Sequence, residues 1–374
     1  MAPLIFIIEV LLFFYVALVI YLIIGWHNIS INFQNYTKHK PFVTIIVIVR
    51  NEEKYIDLLI QSIENQVYPS ENFELIIVDD CSTDKTVSKI SKYIQSAKFD
   101  IRLIHLTDEE GVGRKKMAIT KAVQLAKGSL IMATDGDCAP NPKWIESLVS
   151  YYQSNNYKFI SGPVTFFGQS FFDKIQIVEF ASLIGTGASS IQWKAPNMCN
   201  GANLAFEKEA FWAVNGYEGF ENQPSGDDEF LMHKINNKYL NSIGFIKSKE
   251  AIVITNAQST ISSFYNQRKR WASKWNQYLN IKNTILALFV FTLNFAVIIT
   301  ICLLISNNAP IILLILLFLK LIFEWIFIGK ILLFLDQNKC LVYIPMVQII
   351  YPFYILFTAL GTLSKKYSWK GRNY

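Results

Sequence analysis

Apolar residues in this chain fall into two kinds of run. The long kind sits towards the ends. Residues 4–24 are apolar except for Glu9, and about 20 such residues suffice to cross a hydrocarbon layer. Three more long runs, 284–305, 311–335 and 341–363, come late in the chain. The second of them carries Lys320 and Glu324 one helical turn apart, a spacing that lets the two pair inside a bundle. The last is weakened by Pro345, Gln348 and Pro352. The first run lacks the basic start, short apolar core and small-residue cleavage site of a removable signal. It therefore reads as a retained anchor, with Glu9 turned to another helix or to the interface.

The short kind fills the middle. Residues 42–49 are apolar and largely β-branched, the pattern of a central strand of a parallel sheet. Asn51 follows as a candidate helix cap, and Ile56, Leu59, Ile60 and Ile63 recur at helical spacing. The unit then repeats. A strand over 73–78 ends at Asp79 and Asp80, and Ser82 or Thr83 caps a helix bearing Val87, Ile90 and Ile94. After a strand over 101–104 comes Gly111-Val112-Gly113-Arg114-Lys115-Lys116, then a helix over 115–126. Next is a strand from 130 that stops at Asp135-Gly136-Asp137. This alternation predicts right-handed βαβ units in a doubly wound, Rossmann-like α/β sheet. Further on, 159–167 and 200–206 read as strands. The aromatic stretch 171–183 reads as a core or interfacial helix, and the small residues 185–190 as a loop.

Three of these strands deliver polar groups at their carboxyl ends, the edge where open α/β sheets bind ligands. The first brings Arg50, Asn51 and Glu52, the second Asp79 and Asp80, and the fourth Asp135 and Asp137. Two aspartates separated by one glycine repel each other unless a cation joins them, and Mg²⁺ or Mn²⁺ suits hard oxygen ligands. D-x-D alone also suits a solvated turn; the convergence of three strand ends gives it weight. Two later stretches add chemistry. Gly226-Asp227-Asp228-Glu229 sets three acids before an apolar helix, more than helix-dipole stabilisation requires. Residues 265–275 are basic and aromatic, suited to a membrane collar or to a diphosphate and a sugar.

Composition narrows the classes. Over 374 residues the chain is 52% hydrophobic and only 17% charged, too apolar for an ordinary soluble protein. The net charge of +6 is not gathered into a basic arm, so nucleic acid is not an expected partner, whereas membrane lipids and anionic phosphates are. Five cysteines without C-x-x-C spacing point to neither a disulfide framework nor a zinc site.

The motifs Val49-Arg50-Asn51-Glu52-Glu53, Val78-Asp79-Asp80-Cys81-Ser82, Asp135-Gly136-Asp137, Gly226-Asp227-Asp228 and Gln267-Arg268-Lys269-Arg270-Trp271 occur in this order. In this the chain resembles the family 2 inverting glycosyltransferases. It is most similar to the membrane-embedded branch that includes cellulose, chitin and hyaluronan synthases. The resemblance implies a GT-A fold over 41–275, between an anchor at 1–26 and helices over 284–363 with a basic tail at 364–374. It implies a nucleotide-sugar donor with Asp80 at the uridine base and Arg50 and Glu52 nearby. Lys115 or Lys116 would approach the nucleotide or sugar. Asp137 would bind Mg²⁺ or Mn²⁺, with Asp135 on the ribose or the metal. Asp228 matches the family's general base, although the usual Thr-Glu-Asp is here Gly226-Asp227-Asp228. Gln267, Arg270 and Trp271 match the diphosphate and acceptor platform.

The expected protein is thus a multi-pass transferase of the cell membrane with a cytosolic catalytic domain. It would pass sugars to a glycan acceptor, as in processive polysaccharide synthesis, with partners in secretion or assembly. Single transfer to a lipid or lipid-linked acceptor is the main alternative, and an inactive scaffold or nucleotide-sugar sensor a minor one. A transporter is disfavoured, since few polar groups lie within the spans.

Overall fold

Val43–Val49 (β1) forms a strand because six of its seven residues are fully buried apolar or hydroxyl side chains with no polar atom left unmatched; Thr44 Oγ1 donates to Glu74 Oε1 at 2.7 Å. Its neighbours are Phe73–Asp79 (β2) and Leu130–Asp135 (β4), both parallel to it, and Asp100–His105 (β3) pairs parallel with β2. Burying an aliphatic side chain contributes about 1.5–3 kcal/mol. The largely apolar, buried runs of β1, β2 and β4 therefore make the centre of the sheet its most stable part. In the computed structural model, which describes residues 2–31, 40–107, 114–221, 223–272, 281–362, 368–369 and 372–373, this sheet has the order β3-β2-β1-β4-β8-β6-β9. The remaining strands are Ala139–Pro140 (β5), Phe159–Ser161 (β6), Val164–Phe167 (β7), Leu204–Glu207 (β8), Ile243–Phe245 (β9) and Val253–Asn256 (β10), with Ser368–Trp369 (β11) and Arg372–Asn373 (β12) forming an antiparallel pair of their own. The helices, in chain order, are Ala2–Asn28 (α1), Ile56–Glu64 (α2), Thr86–Ser96 (α3), Arg114–Leu125 (α4), Trp144–Gln153 (α5) and Phe171–Gln192 (α6). They continue with Lys208–Ala213 (α7), Asp227–Lys238 (α8), Ile261–Ala272 (α9), Ile281–Ile305 (α10), Ile311–Phe334 (α11) and Ile344–Thr362 (α12).

The sheet confirms the expected α/β class and departs from a wholly parallel one. β8 runs antiparallel to both β4 and β6. The expected single strand over 159–167 is two: Gly162-Pro163 breaks it, β6 stays in the main sheet and β7 joins β5 and β10 in a small one. The expected strand over 200–206 begins only at Leu204. Asn200–Asn203 is a turn, and the buried Asn203 explains it: its amide donates to Pro163 O and Ala251 O, both at 2.8 Å, and accepts from Trp144 Nε1 at 2.9 Å.

Neither expected cap forms. Asn51 adopts a left-handed φ of 54° and accepts from Thr83 N at 2.8 Å, while α2 starts five residues later without a side-chain cap. Ser82 accepts from Asn51 N at 2.9 Å, and the turn before α3 is closed by Asp84, which accepts from Thr86 N at 3.0 Å. Asx and hydroxyl side chains thus tie the two strand-end loops to each other rather than to the helices behind them. The Gly111–Gly113 motif lies outside the described residues, as does most of the tail at 364–374.

The described chain divides into two units. One holds the sheets, in Asn28–Phe167 and Ser190–Asn256; the other comprises Met1–His27, Gly168–Ser189 and Ala257–Tyr374. The stretch 41–275 is therefore shared between them, because the helical segments at 168–189 and after 257 group with the apolar helices. In the helical unit, Ile8 and Leu12 of α1 pack with Leu293, Ala296 and Val297 of α10 and Leu313 and Leu316 of α11. Lys320 and Glu324 pair as their spacing predicts, Nζ to Oε2 at 2.7 Å. Tyr15 donates to the same carboxylate, and Gln348 Nε2 reaches it at 3.0 Å. The expected loop at 185–190 is instead helical, the second half of α6. Its small residues allow close approach: a Cβ at Gly185 would lie 2.0 Å from Ile331 Cδ1, and Ser189 Oγ donates to Leu22 O at 2.9 Å. The expected last span starts as a 3-10 turn over Asn338–Tyr343 and continues as α12 through Pro352. Four helices among the described residues are long and apolar enough to cross a membrane. All five cysteines are free thiols.

Candidate active site

The register of the sheet builds the site. Val49 pairs with Asp79 and Ile48 with Asp135, so the carboxyl ends of β1, β2 and β4 finish side by side. Asp80 N donates to Val49 O at 2.8 Å, and Arg50 Nη1 donates to the carbonyls of Asp80 at 2.6 Å and Cys81 at 3.0 Å. The buried Asp80 carboxylate is paired with Arg114 Nε, and the same guanidinium donates to Thr107 O at 2.9 Å. Arg114 is a site residue that sequence reasoning missed. Its signal was a third cation immediately before Lys115-Lys116, at the start of a helix facing two strand-end aspartates. Glu52 is buried and its backbone N donates to Thr86 Oγ1 at 2.8 Å. Its side chain explains the glycine of the D-x-D: a Cβ at Gly136 would lie 3.0 Å from both Glu52 Cγ and Val49 Cγ1.

The two lysines after Arg114 part company. Lys115 Nζ lies 2.9 Å from Asp135 Oδ1 and 3.3 Å from Asp227 Oδ2. Burial pulls its pKa down, but Asp135, Asp227 and Asp228 outweigh it and hold the ammonium well above its ordinary value. Lys116 turns the other way, donating to Ser225 O at 2.8 Å and to Gln223 O, with its ammonium 5.4 Å from the Phe230 ring centroid. It thus fixes the loop that leads into α8 rather than joining the acidic cluster.

α8 begins at Asp227 behind Gly226, whose φ of 84° is left-handed. Asp228 accepts from Gly201 N and from Glu229 N, each at 2.9 Å, one bond per carboxylate oxygen, which fixes the orientation of the group. A narrow pocket here is lined by Lys115, Thr134, Gly201, Tyr217, Asp227 and Asp228. Burial raises the Tyr217 phenol well above its ordinary range, with Asp227, Asp228 and Cys199 adding to the effect. Burial likewise lowers the His233 imidazole, partly opposed by Asp228.

Asp135 and Asp137 are both partly exposed at this edge. Among the described residues no three His, Cys, Asp or Glu side chains converge to hold a metal by themselves. Two hard carboxylates are nonetheless the set that Mg²⁺ or Mn²⁺ takes when phosphate oxygens supply the rest. The donor set therefore fits such an ion bound together with a diphosphate.

In the helical unit, α9 carries Gln267, Arg268, Lys269, Arg270 and Trp271. Here Arg268 is the packed residue. It is buried against Glu179 of α6, Nε to Oε1 at 3.0 Å and Nη2 to Oε2 at 2.5 Å. Its guanidinium lies 4.5 Å from the Phe264 ring and 4.2 Å from that of Trp271, and its Nη1 donates to Gln267 Oε1 at 2.5 Å. Trp271 also packs on Phe180, at 5.9 Å between centroids.

The sequence model of Glycosyl transferase family 2 matches residues 44–214, and that of Glycosyl transferase family group 2 matches 130–358. The glycosyltransferase AglE of Haloferax volcanii is 27% identical over 130 residues, 35% of this chain and 41% of that protein. Dodecaprenyl-phosphate galacturonate synthase of Rhizobium johnstonii is 30% identical over 122 residues, 32% of this chain and 35% of that one. These matches span less than half the length of the curated relatives. A mannosyltransferase from Pyrobaculum calidifontis, solved with GDP-Man and Mn²⁺, aligns with a TM-score of 0.56. It covers 96% of this chain and 99% of its own at 16% identity, which makes the likeness one of fold.

Proposed function

The chain belongs to Glycosyl transferase family group 2, and from that premise we propose that it moves a sugar, with inversion, from a nucleotide donor, UDP-linked on the motif, to a glycan or lipid-linked acceptor at the cell membrane. One observation carries the reading. Lys115 bridges Asp135 of the D-x-D edge to Asp227 at the start of α8, and a Cβ at Gly201 would lie 3.6 Å from Lys115 Nζ, Asp227 Oδ2 and Asp228 Oδ2 alike, so Asp135 and the candidate base Asp228 share one cluster.

In this proposal Asp80, held by Arg114 and flanked by Arg50 and Glu52, receives the base end of the nucleotide. Asp135 and Asp137 hold the divalent ion, which would supply charge neutralisation of the departing diphosphate. Asp228 takes the proton of the acceptor hydroxyl as that oxygen attacks the anomeric carbon, and the two backbone N–H groups on its carboxylate keep it aimed. Gln267, Arg270 and Trp271 are proposed on the motif alone, as diphosphate and acceptor contacts. α1, α10 and α11 are proposed to cross the membrane, leaving the sheet-bearing unit cytosolic with its donor.

The name of the Rhizobium relative, a dodecaprenyl-phosphate galacturonate synthase, supports single transfer to a lipid-linked acceptor as the second reading. The experiment is direct. Membranes carrying the protein are incubated with a panel of UDP- and GDP-sugars and Mg²⁺ or Mn²⁺, and donor consumption and product size are followed. Consumption of one donor is expected; a ladder of lengths marks processive synthesis and a single product marks single transfer. Consumption of none would leave a scaffold.

A further inference from the structure

Lys115 stands in the first turn of α4, with its side chain 23% exposed and its ammonium between Asp135 and Asp227. The crowding is specific. A Cβ added at Gly201 would lie 3.6 Å from each of Lys115 Nζ, Asp227 Oδ2 and Asp228 Oδ2, so three charged side-chain ends converge on a residue that has none. Asp135 is thereby neutralised by the protein itself. A divalent cation entering alone must compete with an ammonium already 2.9 Å from the Asp135 carboxylate. Among the described residues it would also find no third His, Cys, Asp or Glu side chain converging with Asp135 and Asp137. A cation arriving with a diphosphate meets neither obstacle. The phosphates complete its coordination, and their negative charge, together with Asp227, gives Lys115 somewhere else to pair.

We infer that Lys115 is a positioning residue that makes divalent-metal binding conditional on the nucleoside diphosphate, acting as a resident counter-ion for Asp135 until the donor arrives. This rests on the reading of Asp135 and Asp137 as the metal-binding pair. It assigns Lys115 a role in the free protein as well as against the donor.

The test reads metal binding, not turnover. Free Mn²⁺ is titrated by electron paramagnetic resonance against the purified full chain in lipid nanodiscs, alone and with UDP or GDP. The wild-type chain is expected to bind Mn²⁺ weakly alone and much more tightly with one of the nucleotides. Lys115→Met removes a full charge within contact distance of the site, so its affinity for Mn²⁺ alone should rise about ten-fold or more, shrinking the gain from nucleotide. Lys115→Arg keeps the charge and should behave as the wild type. Lys115→Gln gives the same reading should the methionine variant fold poorly. An unchanged or weaker Mn²⁺ affinity in both neutral variants overturns the inference. Failure of UDP and GDP to bind the wild type would count against the glycosyltransferase reading and would still leave the Mn²⁺ comparison decisive for Lys115.

Discussion

At the scale of the residue, the acidic start of α8 divides its work between neighbours. Asp227 pairs with Lys115, whereas Asp228, the proposed base, is oriented by two backbone donors, one on each carboxylate oxygen. Asp228→Asn should reduce transfer by about 10²–10⁴-fold, the usual contribution of a positioned base, while leaving nucleotide binding within a few-fold of the wild type. Initial-rate and calorimetric measurements on the same preparation would check both halves, and undiminished turnover would remove Asp228 from the role. His233 gives a pH signature on the same helix. Burial lowers its folded pKa below the ordinary imidazole value of about 6.5. The neutral ring is therefore the form the fold accommodates, and the unfolded chain binds the proton more readily. The stability it protects is present above that ordinary value and is lost as pH falls through the depressed folded pKa. Thermal melting below pH 6.5 should decline less in His233→Gln than in the wild type; parallel declines would contradict it.

At the scale of the element, α6 shows what patterning conveys and what it does not. Gly185, Gly187, Ser189 and Ser190 are poor helix formers, and the segment reads as a loop until its neighbour is known. The helix persists because Gly185 sits where Ile331 Cδ1 would be 2.0 Å from any Cβ, so the small residues serve tertiary contact rather than flexibility. Gly185→Ala should destabilise the helical unit by about 1–3 kcal/mol through overpacking, and adding Ile331→Val should recover part of that loss. Melting temperatures of the two single variants and the double variant in detergent provide the cycle; an additive result would mean that the two positions do not touch. The same contrast runs through the rest of the chain. β1, β2 and β4 were legible to within a residue or two because burial on both faces demands runs that are mostly apolar. β8 was not, because Asn203 uses its amide to satisfy three distant partners. At the candidate site, the placement of Asp79, Asp80 and Asp135 at strand ends was legible from the apolar runs before them. Their cations were less so: Arg114 pairs with a residue 34 positions away and Arg268 with one 89 away, separations that no local pattern encodes.

At the scale of the whole molecule, the unresolved matter in the sequence was the last apolar segment. If α1, α10, α11 and α12 all crossed, the sheet-bearing unit would lie on one side and the basic tail, with Lys365, Lys366, Lys370 and Arg372, on the other, against the cytoplasmic bias of such residues. Contacts within the helical unit argue for a different course. α9 follows the sheet-bearing unit in the chain and carries Arg268, Lys269 and Arg270, a charge density that hydrocarbon disfavours. Yet the second half of α12 packs on α9: Tyr354 lies 5.7 Å from Phe264 and Phe357 lies 5.1 Å from Tyr265, ring to ring. Further along, Gly361 approaches Tyr265 so closely that it has no room for a Cβ. Tyr354 OH also donates to Glu179, the partner of Arg268, at 3.5 Å. The first half of α12 meanwhile reaches the middle of α11, where Gln348 donates to Leu321 O at 2.8 Å. From these contacts we predict that α12 re-enters the membrane and returns towards α9 instead of crossing. On that course the tail would share the side of Lys330 and Lys339, as the charge rule expects. A Lys366→Cys variant in a Cys302→Ser background should resist a membrane-impermeant maleimide in intact cells and react once the membrane is opened. Labelling in intact cells would mean that α12 crosses and that its contacts with α9 form on the far side of the charge rule.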